Sequence, residues 1–258
     1  GRALPAQRRA GVRTRTMRPI VSAAELMRRL QSASRPKVFD ATWLATKLPE
    51  RAASMPDDVH LTGLLETQSS ELSEAIPGAQ HLDVQTHLSV PAGDDHPGVL
   101  FFTRETDASR LAASLGALGI ASAHDPIVLY HRNRAAYADC DPQGLMGATR
   151  AWWTLVSWGF TSVQVLDGGF AAWKAAGGEV VAGAAPAAPV AFDSSTLADT
   201  GLKASAGDVR AATADGSGVQ LLDTLMSWPN TAQKCESSYG LCHHHHRTLS
   251  DADRCCGQ

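Results

Sequence analysis

The sequence predicts an α/β fold, a doubly wound parallel sheet with helices on both faces, followed by an incomplete second copy of the same unit. Three observations carry this. Residues 126–130 are a continuous apolar run, the pattern of a strand buried on both faces of a parallel sheet, and residues 37–40 and 163–166 read as further short strands. Segments with helical apolar spacing lie between and after those strands. Finally, a helix-then-strand pattern ending in an acid recurs late in the chain.

In chain order, Ser22-Ala-Ala-Glu25 has the arrangement of a helix capping box, and Leu26, Met27 and Leu30 follow at helical spacing. Lys37-Val-Phe-Asp40 is a short strand. Residues 75–83 (AIPGAQHLD) hold a Pro-Gly turn leading into another short strand. Asp107 to Leu118 is an amphipathic helix with Leu111, Leu115 and Leu118 on one side, stopped by Gly119. Pro126 to Tyr130 is the strongest buried strand. Gly147 to Gly159 is a tryptophan-rich helix, Val163 to Leu166 a strand, and Gly168 to Trp173 the opening of a last helix, closed by Gly177-Gly178. Val38-Phe39, Ile127 to Leu129 and Val163 to Leu166 are expected in central strands.

The chain has 258 residues, 44% of them hydrophobic and 19% charged, enough to bury a core. Its net charge of −3 supplies no global field to recruit nucleic acid or an anionic membrane. No apolar run reaches the roughly eighteen residues of a membrane-spanning helix. Neither nucleic acid nor membrane is therefore an expected partner.

Five segments are expected. Residues 1–20 are a basic leader: Arg2, Arg8, Arg9, Arg13, Arg15 and Arg18 precede the first acid, Glu25. That composition fits a transit peptide for the mitochondrion or another organelle. The alternatives are a basic overhang or translated upstream sequence before Met17, with a cytoplasmic protein. Residues 21–180 form the main domain. Residues 181–202 are Ala/Pro-rich and read as an extended linker rather than a packed element. Residues 203–224 open the second copy: Ala204 to Ala212 is a short helix, and Val219 to Thr224 a strand ending in Asp223, 183 residues after Asp40. Residues 225–258 have neither helical nor strand periodicity and read as an irregular Cys/His tail, or as the product of a frame shift or mispredicted exon.

The strings at 38–43 (VFDATW), 75–83 (AIPGAQHLD), 147–160 (GATRAWWTLVSWGF) and 163–173 (VQVLDGGFAAW) resemble, in order and spacing, the rhodanese family. They resemble in particular the N-terminal domain of tandem-domain thiosulfate and 3-mercaptopyruvate sulfurtransferases, over residues 22–180, and residues 203–224 match the opening of the second domain. The resemblance implies transfer of sulfane sulfur through a cysteine persulfide, from a small-molecule donor to cyanide or a thiol or thioredoxin-like acceptor, without a cofactor. The thiolate is the nucleophile, and converging backbone N–H groups hold it as an anion. In the tandem enzymes that cysteine loop belongs to the second domain. Here the first-domain position falls on His131, and an imidazole carries no persulfide. The chain is accordingly expected to lack the catalytic cysteine loop and to be inactive as it stands. The alternative is a non-catalytic binding or regulatory module, or a non-functional truncated product. Related phosphatase chemistry would also need a cysteine at position 131.

Other candidates follow from residue types. Cys140 is a displaced nucleophile with Arg132 and Arg134 as anion clamps, or an ordinary loop cysteine. Asp139 and Asp141 flank it, and adjacent negative charge disfavours a thiolate. His96 stands where tandem mercaptopyruvate enzymes can present a first-domain histidine, though loop histidines are commonly just solvated. Arg150 reads as structural, with Asp40 or Asp167 as its carboxylate partner. Trp152 and Trp153 read as core, and Gly168 and Gly169 as a structural turn. The tail residues Cys235, Cys242, His243 to His246, Cys255 and Cys256 lack the close ligand pairs of a zinc site, so no metal is expected.

Overall fold

A computed structural model describes residues 18–43, 73–91, 102–132, 142–213 and 218–221. It falls into two units, Gly1–Lys203 and Ala204–Gln258. In the first, the elements are β1 (Ile20–Val21), α1 (Ala23–Leu30), β2 (Lys37–Asp40), β3 (Glu74–Ala75), β4 (Gln80–His81), α2 (Val84–His87), β5 (Ser89–Pro91), β6 (Phe102–Arg104), α3 (Ala108–Ala117), β7 (Ile127–Tyr130), α4 (Pro142–Ser157), β8 (Val163–Leu166), α5 (Gly169–Ala175) and β9 (Val181–Ala182), followed by a short 3-10 turn at Ser194–Thr196.

The main sheet has the order β1-β8-β7-β2-β4, with every pairing parallel. Side chains of adjacent strand residues point to opposite faces. Val38, Val128, Tyr130 and Leu166 therefore pack with Leu26 of α1 and with Phe170 and Trp173 of α5. Phe39, Ile127, Leu129 and Val163 pack on the other face with Leu111 and Leu115 of α3 and with Ala151, Leu155 and Trp158 of α4. β7 is fully buried along its length, which is why it lacks polar alternation. The expected doubly wound parallel sheet is present, with β2, β7 and β8 in its centre.

The helix-start signals are present, with only the serine half of the capping box formed at α1, where Glu25 pairs with Arg28. The Ser22 hydroxyl accepts from the Glu25 amide at the start of α1. Asp107 accepts from the Ser109 and Arg110 amides at the start of α3, and Gly119 beyond it has φ +75°, the left-handed conformation that glycine adopts at low cost.

Four local expectations are corrected. The leader does not extend to residue 20: Pro19 accepts from the Val165 amide, and Ile20 pairs with Val165 at the sheet edge. The tryptophan-rich helix begins at Pro142, not Gly147, because proline is tolerated in a first helical turn. The Ala/Pro-rich stretch is extended but not a free linker. Amides of Ala185, Val190, Asp193, Ala198 and Thr200 donate to Ala79, Gly116, Ala121, Trp158 and Ser157, so the chain lies along the body as a strap. Backbone hydrogen bonds made by an extended chain need no apolar periodicity, and the sequence pattern could not show them. In the second unit the helix α6 (Ala206–Ala212) has a full capping box between Ser205 and Asp208. The expected strand from Val219 does not start: Val219 to Leu221 lie outside any described strand, with Val219 57% exposed. The rest of that strand, the leader to Met17 and the tail lie outside the described residues.

Candidate functional site

The chain passes from β2 out to β4 on one side and then to β7 and β8 on the other. The connection changes direction between β2 and β7, and in open parallel sheets the crevice beyond the carboxyl ends of such strands is where ligands bind. Ala41 and Thr42 leave β2 there, and His131 and Arg132 leave β7. β8 supplies Asp167, Gly168 and Gly169 one strand further along.

Asp40 and Arg132 organise this crevice. Asp40 is buried, and its carboxylate accepts from the Thr42 amide at 3.1 Å and the Thr42 hydroxyl at 2.6 Å. The Arg132 amide donates to the Thr42 hydroxyl oxygen at 3.0 Å, which ties the two strand ends together. The Arg132 guanidinium pairs through Nε with Asp40, donates to the Glu74 carbonyl and reaches the Tyr130 hydroxyl at 3.4 Å. It also lies over the Phe170 ring, 4.2 Å from its centroid. Burial pushes the Tyr130 hydroxyl well above the ordinary tyrosine range, with the Asp40 charge adding to the effect.

His131 is buried beside them, 7% exposed. Its carbonyl accepts from the Phe170 amide at 2.9 Å. Its ring lies against Gly169, where a Cβ would run into the His131 carbonyl and imidazole. Gly168 and Gly169 both have positive φ, +66° and +57°, so this turn needs glycine for conformation as well as for room. The two glycines are the turn that lets α5 approach His131.

Two expectations about arginines are corrected. Arg132 is not a solvent-facing clamp for anions: its charge is already neutralised by Asp40, and a buried charge must be paired where it sits. Consequently Arg150 does not take Asp40 as partner, nor Asp167, which is exposed and donates its amide to Val21. Arg150 is half-buried with its guanidinium 5.2 Å from the Trp153 ring centroid. Trp152 is part of the core edge and donates from Nε1 to the Val163 carbonyl at 3.1 Å. His96, Arg134 and Cys140 lie outside the described residues, as do the tail cysteines and histidines. Thr42 was not singled out in the sequence; the Asp-x-Thr spacing at Asp40-Ala-Thr42, typical of a local side-chain turn, was the available signal.

The model of the rhodanese-like domain family matches residues 48–176. The chain is 30% identical to rat (Rattus norvegicus) 3-mercaptopyruvate sulfurtransferase over 178 residues, 68% of this chain and 50% of the relative. It is 35% identical to thiosulfate/3-mercaptopyruvate sulfurtransferase 2 of Arabidopsis thaliana over 97 residues, 33% of this chain and 25% of the relative. The solved 3-mercaptopyruvate sulfurtransferase of Leishmania major aligns with 67% of this chain and 38% of its own, at 22% identity and a TM-score of 0.44. The chain thus spans half or less of the length of these relatives. A family model covering half of the sequence, on a doubly wound parallel sheet, places this chain in the rhodanese-like domain family.

Proposed function

We propose that this chain carries the non-catalytic first domain of a tandem sulfurtransferase that moves sulfane sulfur from thiosulfate or 3-mercaptopyruvate to cyanide or a thiol acceptor. The observation that carries the reading is the place of His131. It is the first residue beyond the central strand β7, beside the strand switch point, against the Gly168-Gly169 turn. The family resemblance puts the persulfide cysteine at that position, and an imidazole there has no sulfur to carry. Two further features support the tandem reading. Relatives that are named sulfurtransferases are matched over half or less of their length. In addition, α6 begins with the same kind of serine cap as α1, an acid three residues on in each case.

Residues 1–17 fit an organellar address, which a fluorescent fusion of that segment would read directly. Turnover is tested by thiocyanate formation from thiosulfate and cyanide, and by sulfur transfer from 3-mercaptopyruvate to a dithiol. The chain as given is expected to show none. Turnover that disappears in Cys140→Ser would overturn the reading and make Cys140 a relocated nucleophile. Turnover that survives Cys140→Ser would overturn it in favour of the tail thiols.

A further inference from the structure

Along one side of α4, the structure gathers donors that have no hydrogen-bond partner among the described residues. Arg104, at the end of β6, is 3% exposed; its Nη1 donates to the Ser157 hydroxyl at 2.8 Å and its Nη2 to Asp199 at 2.7 Å. Its Nε is buried with no hydrogen-bond partner. Ser89 faces Arg104 directly across the β5–β6 ladder, so the two side chains share a face, and the Ser89 hydroxyl is also buried and unpartnered. Thr154 is one turn from Ser157 on α4 and fully buried, and its hydroxyl makes no hydrogen bond. Arg150 is one turn further along the same side, and its Nε is the fourth unpartnered buried atom.

The charges do not balance. Burial disfavours the protonated form of Arg150, and the nearby Arg104 charge adds to the effect. Among the described residues the carboxylate paired with Arg104 is Asp199, whose side chain is 50% exposed and bonded at the far end of the guanidinium. Glu105 next door is turned away: it accepts from the Thr106 and Asp107 amides and pairs with Arg110. Two guanidinium N–H groups and two hydroxyls with no acceptor between them are the complement of a small oxyanion, since buried donors are ordinarily satisfied by protein, water or an ion.

We propose that Arg104, Arg150, Ser89 and Thr154 form a binding site for a small inorganic oxyanion of the sulfate, thiosulfate or phosphate type. The site is distinct from the His131 crevice. Gly147, one turn before Arg150, lies against Ala41 and Trp43 at the carboxyl end of β2, and the helix runs from there away from the crevice. None of the four atoms retains accessible surface, so the site is closed until a side chain moves. Arg150 is the half-buried member, resting on Trp153 rather than bonded to the body, and its outward swing admits the anion.

The test is equilibrium dialysis of the full chain with radiolabelled sulfate in chloride buffer, with thiosulfate and phosphate as competitors. The expected result is saturable binding of one sulfate per chain, displaced by both competitors. Loss of one charged donor should weaken binding at least ~10-fold in Arg150→Gln, and loss of a hydroxyl should weaken it less in Thr154→Val. Arg35→Ala, which removes an exposed cation elsewhere, should bind as the parent does. If Arg150→Gln does not fold by circular dichroism, Arg150→Lys replaces it and should bind more weakly than the parent, because it keeps the charge but loses the forked donors. Absence of saturable binding overturns the proposal, as does equal affinity in the parent and the folded Arg150 variant.

Discussion

Replacing Asp40 by asparagine isolates the pair on which the crevice is built. Asp40→Asn keeps the side-chain shape and an oxygen for Thr42, but removes the charge that neutralises Arg132. Both side chains are buried, 2% and 8% exposed, so water cannot take the place of the lost carboxylate. Breaking a buried pair by removing one partner costs about 3–5 kcal/mol, because the remaining charge is left uncompensated. With a urea dependence of about 2 kcal/mol per molar for a domain of this size, the unfolding midpoint should fall by roughly 2 M. Arg132→Gln should cost a similar amount, since it also strips donors from the Glu74 carbonyl and the Tyr130 hydroxyl. The double variant should cost clearly less than the sum, with a coupling of roughly 2 kcal/mol or more. The assay is urea denaturation followed by far-ultraviolet circular dichroism for the parent, both single variants and the double variant. If either single variant loses less than about 1 kcal/mol, or the two losses simply add, Arg132 is not locked to Asp40 and the anion-clamp role returns.

Other expectations follow from the same geometry. Gly169→Ala should destabilise by about 2–4 kcal/mol in thermal or urea unfolding, because the new Cβ meets the His131 carbonyl at a positive φ; a loss under about 0.5 kcal/mol would contradict this. The Asp199 carboxyl is held below its ordinary value, first by the Gly201 amide and then by Arg104. A depressed carboxyl stabilises above its unfolded pKa of about 4 and loses that contribution as pH falls through the lower folded value. The protection of the Ala198 and Thr200 amides against hydrogen exchange, taken relative to the intrinsic rate at each pH, should therefore fall on acidification below about pH 4, and Asp199→Asn should weaken that dependence. Tyr130 has a raised folded pKa, so its contribution is complete below the unfolded value of about 10 and falls as pH rises above it. In alkaline titration, Tyr130→Phe should remove a tyrosinate absorbance step that coincides with unfolding.

Much of the fold was legible because strands buried on both faces and amphipathic helices leave direct traces in residue order. The continuous apolar run ending at Tyr130, the short strand ending at Leu166, and the Asp107 and Ser22 caps, are local signals with local causes. β1 was missed because an edge strand of two residues, Ile20 and Val21, has too little length for any period. The strap was missed because its hold on the body is made by backbone amides. At the site, the position of His131 followed from the strand before it, whereas the choice of Arg132 rather than Arg150 for Asp40 depends on which strand ends lie side by side. That adjacency of β2 and β7 is a long-range fact of topology, and no spacing in the sequence encodes it.

We propose that His131 stands at the position where the family carries its persulfide sulfur, so that a cysteine placed there would accept sulfur. Mass spectrometry of His131→Cys after incubation with thiosulfate tests it most directly, since a persulfide adds the mass of one sulfur atom to a single peptide. That mass is expected on the peptide containing position 131, lost on treatment with cyanide, with no added sulfur on the parent chain. Sulfur acquired by the parent, or a folded His131→Cys protein that never acquires any, would contradict it.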